Sequence, residues 1–183
     1  MEGRSESFRR RFLVTHFFNP VRYMKLLELV SGEETDPAVM KQMHAFCEEV
    51  LGKGIVYGKD TTNFIANRIG TYGMMRTIQL MAQHDVSVEE VDKIFGPAMG
   101  RPKSAVFRTA DIVGLDTLMH VAKNVYDHCV SDEKRESFVP PAYLPAMVEK
   151  GILGQKSKDK AGFFKQVKGP DGKKAILRLD PAT

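Results

Sequence analysis

The stretch RFLVTHFFNPVRYMKLLELV, residues 11–30, decides how the beginning of the chain folds. Its two apolar runs, residues 12–18 and 25–30, have the length of strands, and an Asn-Pro bend separates them. His16 lies near the end of the first run. Strand ends face the ligand crevice in α/β proteins, so this position suits either an active-site histidine or a structural one.

Glu28 lies inside the second apolar run. Because side chains alternate along a strand, Leu26 and Val30 share its face. Leu27 and Leu29 then occupy the opposite face. If both faces are buried, the Glu28 carboxylate needs a partner; on an edge strand it would simply point to water. The strand pattern leaves both alternatives open.

A helix and a third strand follow in an order that is typical of an α/β sheet. Asp36 and Pro37 form an N-cap followed by a first-turn proline, and Gly52 ends the helix. The segment GIVYGKD, residues 54–60, predicts the third strand. No glycine-rich dinucleotide turn (GxGxxG) occurs in the sequence. Residues 1–59 are therefore expected to be the C-terminal remnant of a Rossmann-type domain whose beginning is absent.

Residues 60–183 have a helical pattern. Successive segments predict a long helix from residue 63 to 83, a second helix capped by Ser87 and Glu90, a third at 115–129, and a short one ending near residue 150. The segments AGFFKQV and KAILRL flank GPDG and predict a C-terminal β-hairpin. The predicted fold class is mainly α, with an all-helical domain after the terminal strands and helix of a truncated Rossmann domain.

Helical periodicity predicts which side chains of two helices face the core. The expected stripe of the long helix is Ile65, Ile69, Tyr72, Met75, Ile78 and Ala82. The expected apolar face of the earlier helix is Val39, Met43, Phe46 or Cys47, and Val50. Asn67 lies off the stripe near the start of the long helix, where an asparagine is usually a cap or faces solvent.

Composition excludes several classes of protein. The sequence is 43% hydrophobic and 27% charged, as in globular proteins, and no apolar run approaches the ~20 residues of a membrane span. The basic N-terminus lacks the apolar segment of a secretory signal. Cys47 and Cys129 are isolated, which argues against a disulfide framework or a zinc site. We expect a cytoplasmic protein without a bound metal.

The last part of the chain is strongly basic. Residues 150–178 contain nine Lys or Arg and two Asp, a local charge of +7. This segment is interpreted either as a solvated basic tail or as one that attracts an anionic ligand, such as the phosphates of coenzyme A. Aromatic residues are not interleaved with the cations as a base-stacking platform requires, so a nucleic-acid partner is not expected.

Three polar residues suggest acid–base chemistry if the fold brings them together. A histidine oriented by a carboxylate, as His16 and Glu28 could be, is the standard arrangement of a general base. A nearby amide such as that of Asn67 could orient a carbonyl or hydroxyl group of a substrate. Sequence spacing does not show whether these side chains meet.

Five blocks, in this order, resemble the 3-hydroxyacyl-CoA dehydrogenase family. They cover the chain from about residue 12 to 166 and read HFFNP (16–20), KLLELV (25–30), KDTTNFIANR (59–68), DIVGLDT (111–117) and GILGQKSKDKAGFFK (151–165). The ordered set is far more specific than any single block.

The resemblance implies an enzyme of fatty acid β-oxidation. Members of this family oxidise the 3-hydroxyl of an L-3-hydroxyacyl-CoA to a ketone and pass a hydride to NAD⁺. By this resemblance His16 is the base, Glu28 pairs with it, Asn67 binds the substrate, and Asn19 supports the active site. The NAD is expected to be held mainly by the missing N-terminal part, with contacts from this chain only near His16.

The resemblance also implies partners, and it leaves alternatives open. The helical domain of the family dimerises, so we expect a homodimer and an acyl-CoA ligand. The longer segment at residues 96–117 is closer to members fused to an enoyl-CoA hydratase, although the fusion itself is left open. The isolated chain is expected to be inactive. The alternatives are a non-catalytic dimerisation and acyl-CoA-binding module, or a related dehydrogenase acting on a sugar acid.

One block departs from the family pattern. Where the family usually reads DTPGFIVNR, this chain has Thr62 and Asn63 in place of the Pro and Gly. The substitution is expected to change the entry to the long helix, while Phe64, Asn67 and Arg68 are kept.

Overall fold

The computed structural model of the chain describes residues 1–169 and 173–179. The chain divides into two compact units, Met1–Ala66 and Asn67–Thr183. The predicted domain boundary, between residues 59 and 60, lies slightly before this division and stays a prediction.

The first unit is a small three-stranded sheet with helices. Its elements are α1 (Glu6–Arg10), β1 (Leu13–Phe17), β2 (Leu26–Ser31), α2 (Pro37–Ala45), a π-helical turn (Phe46–Val50) and β3 (Gly54–Gly58). The strand order is β1-β2-β3, with β1 antiparallel and β3 parallel to the central β2. All three strands predicted from the sequence are confirmed.

Strand β2 is the central strand of the sheet, and both of its faces are covered. Leu27 and Leu29 are fully buried and pack with Cys47 and with the side chains of α2. Glu28 and Val30 face the other side and are each 1% exposed. The edge-strand alternative for Glu28 is therefore wrong, and its carboxylate lies in the interior.

Helix α2 begins as predicted but ends differently. The Asp36 carboxylate accepts the backbone N–H of Ala38 at 2.9 Å, which confirms the N-cap. The π-helical turn that follows places an extra residue in the turn and rotates the apolar face. Cys47 is consequently buried, whereas Phe46 is 45% exposed and Val50 is 69% exposed, so the prediction for Val50 was wrong.

The second unit is helical and ends in a β-hairpin, as predicted. Its elements are α3 (Ala66–Gln83, beginning on the last residue of the first unit), α4 (Val88–Ile94), α5 (Phe107–Val113), α6 (Leu115–His128), α7 (Tyr143–Glu149), β4 (Phe164–Lys168) and β5 (Lys174–Arg178). Strands β4 and β5 pair antiparallel. Within the described ranges no helix is long and apolar enough to cross a bilayer. Most of the predicted GPDG turn lies outside the described residues.

Each of the helices α3–α7 contributes to one apolar core. In this core the rings of Phe107 and Phe163 lie edge to face, with their centroids 4.6 Å apart. Helix α5 was not predicted, because its cap comes from a residue distant in sequence. The Asp92 carboxylate accepts the backbone N–H groups of residues 106–108 at 2.8–3.0 Å.

The predicted stripe of α3 is only partly confirmed. Met75 and Ile78 are fully buried, but Ile69 is 66% exposed and Ala82 is also exposed. Two threonines take part in the buried face instead, at positions 71 and 77. A threonine can be buried when its hydroxyl bonds to the helix backbone, as that of Thr77 does to the Gly73 carbonyl at 2.8 Å. A pattern that counts only apolar residues misses such positions.

Candidate active site

His16 and Glu28 lie directly opposite each other in the β1–β2 pair. The His16 Nδ1 and Glu28 Oε2 atoms are 2.6 Å apart. The His16 side chain is 25% exposed, whereas that of Glu28 is 1% exposed. The imidazole can therefore meet a ligand, while the carboxylate that holds it is shielded from water.

The second oxygen of Glu28 binds the beginning of helix α3. Glu28 Oε1 accepts the backbone N–H groups of Ile65 at 3.1 Å and Ala66 at 2.7 Å. These N–H groups belong to the first turn, where a helix has no internal acceptors and carries partial positive charge. Together with His16 they compensate the carboxylate for its loss of water.

The pairing fixes which nitrogen of His16 carries a proton. An ionised carboxylate only accepts hydrogen bonds, so the short contact places the proton on Nδ1. Nε2 then has a lone pair and can accept a proton from a substrate. In such a transfer Glu28 would stabilise the imidazolium ion, as an orienting acid does beside a general base.

Two phenylalanine rings border the imidazole. The centroid of the Phe18 ring is 4.7 Å from that of the imidazole, in an edge-on arrangement. The centroid of the Phe64 ring is 5.4 Å from that of the imidazole. Neither ring was predicted as part of the site, nor were the two backbone N–H groups that bind Glu28. For Phe64 and the two N–H groups, the signal that could have found them is the block TTNF, residues 61–64, because it departs from the family pattern just before the helix. Phe18 lies two residues after His16 in the block HFFNP.

Asn63, which stands where the family usually has glycine, adopts a left-handed backbone conformation. Asn63 has a φ of 60° and Phe64 a φ of 49°. Asparagine is one of the few residues besides glycine that adopt this left-handed conformation readily. For a bulky residue such as Phe64 the conformation is an outlier, and strain of this kind clusters at functional sites.

The two predicted asparagines occupy different units. Asn19 is exposed in the bend after β1 and precedes a cis peptide bond to Pro20. Asn67 is half-buried in the first turn of α3 and is the first residue of the second unit. The structure brings His16 and Glu28 together. The catalytic roles of these two residues and the roles of Asn19 and Asn67 stay predictions.

The residues that the structure describes include no group of three or more His, Cys, Asp or Glu side chains able to hold a metal ion.

Two family models match nearly the whole chain. Residues 4–61 match the 3-hydroxyacyl-CoA dehydrogenase NAD binding domain, and residues 64–166 match the 3-hydroxyacyl-CoA dehydrogenase C-terminal domain. The first match contains His16 and Glu28, and the second begins at Phe64 and contains Asn67.

Individual relatives carry the same description. The chain is 56% identical over 182 residues to a probable 3-hydroxyacyl-CoA dehydrogenase of Bacillus subtilis, covering 100% of this chain and 22% of that protein. It is 47% identical over 168 residues to one from Deinococcus radiodurans, covering 92% and 47%. A crystal structure of FadB2 from M. tuberculosis matches with a TM-score of 0.75 and 34% identity, covering 86% and 53%. The chain thus spans about half of these proteins or less.

Proposed function

We propose, since the chain belongs to the 3-hydroxyacyl-CoA dehydrogenase family, that it is part of an enzyme oxidising the 3-hydroxyl of a fatty L-3-hydroxyacyl-CoA to a ketone with NAD⁺. The observation that carries the proposal is the 2.6 Å contact between His16 and Glu28. It gives an imidazole with one nitrogen held by a buried carboxylate and the other available to a substrate.

His16 acts as the base in this reaction. Its Nε2 removes the proton from the 3-hydroxyl while the hydrogen on C3 leaves as a hydride. The electron pair of the broken O–H bond becomes the second bond of the ketone. NAD⁺, when bound, supplies the hydride acceptor. The positive charge left on the imidazole is stabilised by Glu28, and a correctly placed base of this kind accelerates such a step by about 10²–10⁴-fold.

The residues of this chain are suited to act on the 3-hydroxyl of the substrate rather than to hold the phosphates of NAD⁺. The base lies in a sheet that matches the NAD-binding domain, but the sequence has no glycine-rich turn for a pyrophosphate. We assign the binding of the nucleotide mainly to the part of that domain outside residues 4–61. Residues 1–183 alone would then be inactive.

The substrate and assembly follow from the same proposal. Asn67 would hold the acyl-CoA near its thioester and 3-oxygen, and Asn19 would support the site from the bend after β1. The helical unit would form a homodimer, and the protein would act in the cytoplasm. Fusion to an enoyl-CoA hydratase is compatible with the much greater length of the Bacillus relative.

The test of the reaction class uses the full-length protein. We expect it to oxidise NADH with acetoacetyl-CoA as the acceptor and to leave the keto forms of sugar acids unreduced. Reduction of sugar acids in preference to the acyl-CoA would overturn the substrate class. Binding of acyl-CoA without any turnover of NADH would instead favour a non-catalytic module.

A further inference from the structure

The helical unit contains a groove whose lining residues all belong to that unit. It has a volume of about 440 Å³ and lies between the start of α5, the turn at residues 154–160 and the hairpin β4–β5. This volume is within the range of ~300–1,000 Å³ that is usual for small-molecule sites. The groove contains part of the basic segment that the sequence singled out and that the proposed reaction does not use.

Three cationic side chains line the groove, those of Lys103, Arg108 and Lys160. In the part of the chain that the structure describes, none of the three forms an ion pair. Other cations near the C-terminus are paired: Lys156 with Asp116, and Arg178 with Glu89. The groove therefore brings together three cationic side chains that have no carboxylate partner among the described residues.

The acidic groups beside these cations are already engaged. Asp111, which also lines the groove, is 6% exposed and accepts the backbone N–H groups of Phe163 and Phe164 at 2.8 and 2.9 Å. Asp92 accepts three N–H groups at the start of α5, including that of Arg108. These bonds fix the walls of the groove. With three cations and the single carboxylate of Asp111 in its described lining, the groove has a net charge of +2, which attracts an anion.

The groove also offers a flat stacking surface. The Arg108 guanidinium lies over the ring of Phe164, 5.0 Å from its centroid. A guanidinium stacked in this way has a second face on which an aromatic base can lie. Gln155 and Gln166 supply neutral hydrogen-bonding groups at the same groove, and Ile112 and Ile176 supply apolar surface.

We propose that this groove binds a phosphate-bearing nucleotide, with the base stacked on Arg108 and the phosphates held by Lys103 and Lys160. Two sources share this chemistry, the nucleotide end of coenzyme A and a free nucleoside polyphosphate. The proposal does not depend on the proposed reaction, because a chain without dehydrogenase activity could still bind the nucleotide.

The test is isothermal titration calorimetry of the chain with 3′,5′-ADP and with ATP. We expect binding that weakens as salt is raised. The Arg108→Gln/Lys160→Gln variant should bind about 10- to 100-fold more weakly, since it loses charge-assisted hydrogen bonds. The control variant Lys123→Gln/Lys134→Gln removes the same charge from exposed positions outside the groove and should bind normally. Thermal unfolding checks that each variant is folded.

The outcomes decide the site and its ligand. Tighter binding of 3′,5′-ADP would assign the groove to coenzyme A, and tighter binding of ATP would assign it to a free nucleotide. The proposal is overturned if neither compound binds, if the control variant weakens binding as much as the groove variant, or if pantetheine, which lacks the nucleotide, binds equally well.

Discussion

The Glu28 carboxylate determines the state of His16, because each of its oxygens has a different task. One oxygen holds the imidazole at 2.6 Å and the other accepts two N–H groups of helix α3. From the sequence, the buried and the exposed alternatives for this residue were equally consistent with the strand pattern. The carboxylate is engaged by Ile65 and Ala66, which are 37 and 38 positions further along the chain, and no local pattern encodes this contact.

Replacing Glu28 by Gln should reverse the tautomer of His16. The amide oxygen of the glutamine can still accept the N–H groups of Ile65 and Ala66, which turns its NH₂ group toward Nδ1. Nδ1 must then be the acceptor, and the proton moves to Nε2. Nitrogen-15 NMR of the imidazole should show a proton on Nδ1 in the unaltered chain and on Nε2 in Glu28→Gln. The same tautomer in both proteins would show that Glu28 does not set it.

Tyr143 provides a second test at the residue scale. Its hydroxyl is buried and, among the described residues, has no hydrogen-bond partner; burial raises its pKa to about 12. An unsatisfied buried hydroxyl costs about 1–3 kcal/mol, so Tyr143→Phe should increase the free energy of unfolding by roughly 1 kcal/mol.

The same substitution should change the stability at high pH. The unfolded state loses the phenol proton near pH 10 and the folded state only near pH 12. The stability contributed by the protonated Tyr143 is thus complete below pH 10 and is lost as pH rises through this window, at about 1.4 kcal/mol per pH unit. Tyr143→Phe should lack this loss, and the exposed control Tyr23→Phe should retain it, when unfolding in urea is measured at pH 9–12.

At the scale of secondary-structure elements, helix caps formed by neighbours in sequence were predicted, whereas a helix capped by a distant residue was missed. The Asp36 N-cap and the capping box of Ser87 and Glu90 involve neighbours in sequence, and both are confirmed. Helix α5 depends on a cap from Asp92, fourteen to sixteen residues away, and was missed. The π-helical turn after α2 was also missed, and it moved Val50 from the predicted core to the surface.

The turn that begins α3 can be tested through Asn63. Its left-handed φ of 60° suits Asn or Gly but disfavours a β-branched residue by about 1–2 kcal/mol. Asn63→Val and Asn63→Gly both remove the interactions of the Asn63 side chain, so the difference between them reports the backbone conformation. We expect the free energy of unfolding of Asn63→Val to be lower than that of Asn63→Gly by this amount. Thr62→Val, one residue earlier and without a positive φ, is the matched control for urea-induced unfolding. Equal stability of Asn63→Val and the control would contradict the role assigned to this turn.

At the scale of the whole molecule, residue patterns alone predicted the α/β start and the helical remainder, and the resemblance of five ordered blocks predicted the family. His16 and Glu28 are brought together within the first unit, as the resemblance implied. A single copy of residues 1–183 does not show the roles of the two asparagines, a homodimer or the contacts with the nucleotide. These features involve further copies of the chain or the parts of the relatives that residues 1–183 do not match. They are therefore proposals that the full-length protein has to test.

The most direct measurement is the rate at which full-length His16→Ala reduces acetoacetyl-CoA with NADH. In this direction the His16 imidazolium donates the proton that the hydroxyl receives. We expect a loss of about 10²–10⁴-fold. His44→Ala, which removes a partly exposed histidine paired with Glu48 in the same unit, should keep its activity. Full activity of a folded His16→Ala, or an equal loss in both variants, would contradict the assignment of His16 as the base.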